Sequence, residues 1–442
     1  MGYIFQSRRL AKLTFATLLT ALLSSCSERA AEQAESSQPN DDESAFLDRA
    51  RAVHESALVL DAHADIEIPG NPSRYAGPDG VSRVAPEKMQ AGGVDAVVMA
   101  AAVGPGPRTT DGYAAARRTA EEEIAAVVAL AEDPANNVVI PLTADDLVAA
   151  HADGRSALIL GFQNALILGT DVSALDEFYA RGVRVFALTH MGHNDFADSS
   201  RPLYIGEIGA HEPDEEHGGL SPLGVAAIER INALGGIVDI TQLSRQAALQ
   251  VMEISTAPVI ASHSNVQALS NVSRNLSDEE IDRIGETGGV IHVAPFRGYL
   301  FDSSDAELDA NIRAARRTAG VEEDYLYPFE LYWEIDNPEA QKIFVSAVSE
   351  LLGPGSLDDM LDHVDYIAKR IGVDHVGIGT DFNHGSGVAG FEDASEALNV
   401  TIGLLKRDYS QRDIEKIWGG NFLRVWREAE RVAQIAGAPP VT

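Results

Sequence analysis

The sequence predicts an α/β protein, a (β/α)8 TIM barrel, from three observations. Eight short apolar runs recur along the chain, amphipathic segments of helical period separate them, and chemistry-bearing residues gather where the runs end. The runs are nearly continuous in apolar residues rather than alternating, as in parallel strands covered on both faces. In order they read "ALVLDAH" (57–63), "VDAVVMAAAV" (94–103), "SALILGFQ" (156–163), "VRVFALTH" (183–190), "GIVDITQ" (236–242), "PVIASHS" (258–264), "GGVIHVAPF" (288–296) and "HVGIGTDF" (375–382). Between them lie segments such as 223–234, "LGVAAIERINAL", and 277–287, "SDEEIDRIGET", the latter opened by the Ser-x-x-Glu of a capping box. Eight βα units specify a closed barrel. An open doubly wound sheet is the alternative, and its nucleotide-binding form is weakened because no GxGxxG or P-loop follows any run.

Before the first strand, residues 1–26 place Arg8, Arg9 and Lys12 ahead of an apolar stretch around 13–23 and end in "LSSC". This is the layout of an export signal, too short for a permanent membrane span. The "LSSC" stretch resembles the lipobox of bacterial lipoproteins, which implies cleavage before Cys26, a lipid on that cysteine and, with Ser27 following, anchoring to the outer membrane on the periplasmic side. A plain cleaved signal is the alternative. Cys26 is the one cysteine, so no intrachain disulfide can form. Residues 27–43 are polar and aperiodic and read as a flexible tether, leaving 44–442 as the folded domain. A net charge of -33 argues against a nucleic-acid partner and against any membrane contact except through Cys26. Residues 297–374, with "YLYPFELYW" at 325–333, exceed one βα connection and read as an excursion, while 418–434 reads as an amphipathic closing helix.

In such a barrel the chemistry sits at the C-terminal ends of the strands. There the first run delivers His63 and Asp65, the fourth His190, the sixth His263 and the eighth Asp381. His63 and Asp65 are two apart, so along a strand they share a face. Any one of these residues could be a satisfied core or loop residue. All five converging make a nitrogen and oxygen ligand set suited to zinc or a similar divalent ion, and metal-assisted hydrolysis is the matching reaction class.

From about residue 55 onward the chain resembles the membrane (renal-type) dipeptidases, zinc peptidases on an amidohydrolase-like barrel. The likeness is carried by "LDAHADIEIP", "FYARGVRVFALTHMGHNDFADS", "GGLSPLGVAAIERINALGGIVDI", "PVIASHSN", "SRNLSD", "HVGIGTDF" and "GGNFLRV", in the family's order. It implies that His63 and Asp65 are ligands of a first metal and His263 of a second, with Asp381 as the acid/base aspartate. It implies that His190 polarises the scissile carbonyl and that Arg274 holds the substrate's terminal carboxylate. Two positions depart from the family: Gln163 stands where a bridging glutamate is usual, and Gln242 where a histidine ligand is usual. A neutral amide bridges two cations poorly, so the expectation is one metal on His63, Asp65 and Asp381. His384 and His193 are conceivable stand-ins that read first as loop residues.

Three functions stay open. One is a metallo-dipeptidase acting on small peptides outside the cytoplasm, including those with a D-residue on the carboxyl side. Another is a related metallohydrolase of a different amide or lactone. The third is a non-hydrolytic relative that binds or helps mature a peptide. The resemblance also implies a homodimer, for which no self-complementary face is visible in the sequence.

Overall fold

The computed structural model describes residues 41–205, 210–323, 326–329 and 337–437. The signal segment with Cys26, most of the tether and much of the 325–333 stretch lie outside them. The chain divides into Met1–Arg51 and Ala52–Thr442. The described part of the first unit, residues 41–51, belongs to a helix spanning Asp41–Ser56, so the last three residues expected of the tether are helical instead. Asp42 and Glu43 lie in the first turn of that helix, where acidic side chains favour the positive end of the dipole. The second unit holds the barrel.

Its strands are β1 (Leu60–Asp65), β2 (Ala96–Ala102), β3 (Ser156–Gln163), β4 (Val183–Ala187), β5 (Ile237–Asp239), β6 (Ile260–Ala261), β7 (Val290–Val293) and β8 (Val376–Ile378). They pair in that order, every pair parallel. The ring closes where Asp65 N donates to Phe382 O at 3.0 Å and Asp381 N donates to His63 O at 2.8 Å. All eight apolar runs are strands of the barrel. Several are shorter than the runs because side chains take over the ladder near the top. At the end of β6, Ser262 N donates to Asp239 Oδ1 at 3.0 Å and to Thr241 Oγ1 at 2.7 Å instead of to a neighbouring strand.

Packing explains the rest. Leu60, Ile159, Val185, Ile237 and Val290 share one buried cluster with Phe422, Val425 and Trp426 of the helix Asn421–Ile435, whose apolar residues recur at helical spacing. That helix is the closing helix expected at 418–434. The excursion proves shorter than its sequence outline. Helix Leu357–Ile371 packs on β7 and β8 as an ordinary barrel helix. Only the segment before it departs from the βα plan, and it builds a second small core from Phe301, Ile312, Phe329, Phe344 and Val348. Among the described residues no helix is long and apolar enough to cross a membrane.

Burial also sets an acid limit. His363 and His292 lie fully inside the protein, and desolvation pushes their pKa down to about 3 and about 4. Both stay neutral in the fold but take up protons in the unfolded chain below its pKa of ~6.5, so stability falls as pH drops through that value. At pH 5 each costs about 2 kcal/mol. His363 Nδ1 accepts from Val266 N at 2.9 Å, a bond that glutamine can replace. Melting at pH 7 and pH 5 should show His363→Gln losing about 2 kcal/mol less on acidification than the native chain; an equal loss would contradict this.

Candidate metal centre

Strand β1 reads Leu-Asp-Ala-His-Ala-Asp, and its alternation puts Asp61, His63 and Asp65 on one face while Leu60 and Ala62 enter the apolar cluster. The β1–β2 register slips between Asp61 and Ala64, under the two upper polar residues. His63 Nε2 and Asp65 Oδ1 then stand 3.4 Å apart, both buried, and neither has a hydrogen-bond partner. Two donors each about 2.1 Å from one zinc at the tetrahedral angle lie about 3.4 Å apart. The pair therefore fits a metal.

Two triads of donor atoms converge here, each within 4.8 Å: His63, His263 and Asp381, and Asp65, Asp381 and His384. Asp381 is common to both. It sits past the end of β8 at φ +56°, a left-handed conformation that costs a residue with a side chain and persists where its surroundings impose it. The bond from its N–H to His63 O is one such constraint.

Beneath these donor atoms lies a support layer that sequence reasoning missed. Ser262 Oγ donates to Asp239 Oδ2 at 2.5 Å, so it accepts from His263 Nδ1 at 2.8 Å and leaves that ring's Nε2 as the free donor. Asp61 accepts from His63 N, Thr380 N and Thr380 Oγ1, tying β1 to β8, and burial pushes its pKa up to about 6. Both aspartates lie inside otherwise apolar runs, and that interruption was the available signal. Glu123 was missed too. It shares the inward face of helix Thr110–Glu132 with Ala116, Ala120 and Val127, and burial, reinforced by the charge of Asp65, pushes it up to about 8.

His190 is buried close by, and desolvation pushes its pKa down to about 3, so its ring is neutral. Its Nδ1 has no partner. Arg274 is buried as well, its Nη1 donating to His263 O at 2.9 Å and its guanidinium lying 4.3 Å from the centre of the Tyr299 ring. Gln163 ends β3 and Gln242 follows β5 at φ +66°; each leaves one buried amide atom unbonded, Nε2 and Oε1 respectively.

The two stand-ins part company. His193 is a loop residue, with Nε2 on Pro213 O at 2.7 Å and Nδ1 accepting from Ser199 N at 3.0 Å. His384 is not merely that: its Nδ1 lies 2.6 Å from Asp65 Oδ2. Although burial opposes its charge, Asp65 is held well below the usual carboxylate range by His384. A cavity of about 350 Å³ opens beside His384, lined also by Tyr75, Arg201, Phe296, Tyr299 and Lys342. That size is within the range of small-ligand pockets.

The comparisons agree with this geometry. The model of the membrane dipeptidase family, peptidase family M19, matches residues 47–439. The chain is 35% identical to the probable dipeptidase PvdM from Pseudomonas aeruginosa, whose crystal structure superposes with a TM-score of 0.77 over 88% of this chain and 99% of that one. It is 30% identical over 291 residues to the dipeptidase tcpJ of Claviceps purpurea, 66% of this chain and 55% of that protein. It is 31% identical over 285 residues to the dipeptidase aclJ of Aspergillus oryzae, 64% of this chain and 54% of that protein. The chain thus spans about half the length of these curated relatives. With the barrel, the strand-end donors and the family match over 47–439 in agreement, the chain belongs to the membrane dipeptidase family.

Proposed function

We propose that the protein is a metal-dependent hydrolase of small dipeptides, including those with a D-residue on the carboxyl side, and that it works with one divalent ion, zinc by preference. The observation that carries this reading is the unbonded His63 Nε2 and Asp65 Oδ1 pair at 3.4 Å, with Asp381 beside it. A divalent ion on these donors supplies Lewis acidity and lowers the pKa of water to ~7.

The residues divide the remaining work. Asp381 takes a proton from the attacking water and passes it to the leaving amine as the C–N bond breaks. The neutral ring of His190 donates a hydrogen bond to the carbonyl oxygen as negative charge develops there. Arg274, its head fixed by His263 O and Tyr299, takes the terminal carboxylate. The cavity beside His384 receives a substrate side chain. Gln163 and Gln242 favour a second reading, a relative acting on another amide or lactone or only binding a peptide.

Hydrolysis of an L-Ala-D-Ala-type panel, with and without zinc and beside a His63→Ala control, separates the readings. Zinc-dependent turnover lost in the control supports the dipeptidase. Folded, zinc-loaded protein that cleaves no dipeptide would refute it in favour of the second reading. We further propose that residues 1–26 export the chain and that Cys26 anchors it, which mass spectrometry of the mature N-terminus tests.

A further inference from the structure

We propose that His384 is a ligand of the metal, holding it beside Asp65 and Asp381, a triad whose donor atoms lie within 4.8 Å of one another. This rests on the metal-dependent reading above. It goes beyond it by adding a ligand from a loop that the resemblance assigns no role.

Four observations carry it. His384 offers a ring nitrogen within 4.8 Å of a carboxylate oxygen of both Asp65 and Asp381, and its Nδ1 meets Asp65 Oδ2 at 2.6 Å. The opposite oxygen of Asp65 faces His63 Nε2 at 3.4 Å, so the carboxylate stands between the two rings.

The loop that carries it is held to β1 with unusual care. Asn383, at φ +66°, donates from Nδ2 to Asp65 O at 2.8 Å and to Ser82 Oγ at 3.0 Å, while its Oδ1 accepts from Arg83 N at 2.8 Å. A left-handed residue with a fully bonded side chain, one position before His384 and two after Asp381, fixes where both emerge.

The ring itself is clamped. Tyr75 stacks on it with centroids 5.4 Å apart, and His190 meets it edge-on at 5.3 Å. Finally, the end of β3 offers only the amide of Gln163 where a charged donor would complete a first-metal site, and a neutral amide is a poor substitute for a carboxylate. An imidazole from the β8 loop supplies the missing strong donor.

The test uses cobalt(II) in place of zinc in the whole protein, read by visible absorption, together with zinc X-ray absorption to count imidazoles. The native protein should bind one equivalent. His384→Ala should show one imidazole fewer, an altered cobalt spectrum, and affinity reduced by more than the about 10–100-fold that losing an outer hydrogen-bond partner costs. His384→Cys guards against misfolding of the alanine variant, because a near-ultraviolet thiolate-to-cobalt band arises only if residue 384 coordinates. An unchanged imidazole count in His384→Ala together with no thiolate band in a cobalt-loaded His384→Cys would overturn the proposal and leave His384 as a hydrogen-bond partner of Asp65. If the native protein takes up no cobalt or zinc, the metal-dependent reading itself fails, and this proposal with it.

Discussion

Replacing Asp381 with asparagine is expected to lower dipeptide turnover by about 10³-fold or more while the barrel stays folded, as measured by kcat on zinc-loaded protein and by circular dichroism. The expectation follows from position. Asp381 is the one residue common to both donor triads, and it is buried among His63, His263, His384 and Asp65. Removing its charge takes away both a metal contact and the group that moves the proton. General acid–base catalysis alone is worth about 10²–10⁴-fold, and the metal contact adds to it. Asparagine is the informative substitute because Asp381 sits at φ +56°, where asparagine is among the few residues that settle readily. The backbone bond from residue 381 to His63 O is then kept. Turnover within tenfold of the native protein would show that the proton passes through another group. Glu123, whose pKa burial and Asp65 hold near neutrality, would be the first to examine.

How far the chain could be read in advance depends on how local each signal is. The eight strands were legible because each is a run of apolar residues buried on both faces, a property of a few neighbouring residues. The HxD pair was legible for the same reason, since period-two alternation alone puts His63 and Asp65 side by side. The place of His384 was not. It depends on Asn383 and Asp381 adopting left-handed backbone and on bonds from Asn383 to residues about 300 positions away, which no window of sequence displays. The support layer of Asp239, Ser262 and Asp61 was half-legible. An aspartate inside an apolar run signals a buried partner, but the partner lies on another strand. Helix Leu357–Ile371 was absorbed into the excursion because its amphipathic pattern tells that it packs, and not on what.

The two glutamines make the sharpest test of the one-metal reading. The double variant Gln163→Glu with Gln242→His is expected to raise bound zinc from one equivalent to two, measured by equilibrium dialysis and elemental analysis. Each native amide leaves one buried atom unbonded, Gln163 at the end of β3 and Gln242 just past β5. Glutamate at 163 restores an anionic bridge of the same length. Histidine at 242 supplies a nitrogen donor, and the backbone there, at φ +66°, suits it because histidine is among the types enriched at positive φ. His263 is already in place, with Ser262 and Asp239 fixing its tautomer so that Nε2 is free to bind. A second ion would then have His263, the imidazole introduced by Gln242→His and a shared carboxylate, three protein ligands as in catalytic zinc sites generally. Two equivalents in the native protein would refute the one-metal reading. One equivalent in both would mean that the space beyond His263 is closed for reasons other than these two side chains, with His384 drawing Asp65 away from any bridging arrangement the first residue to replace.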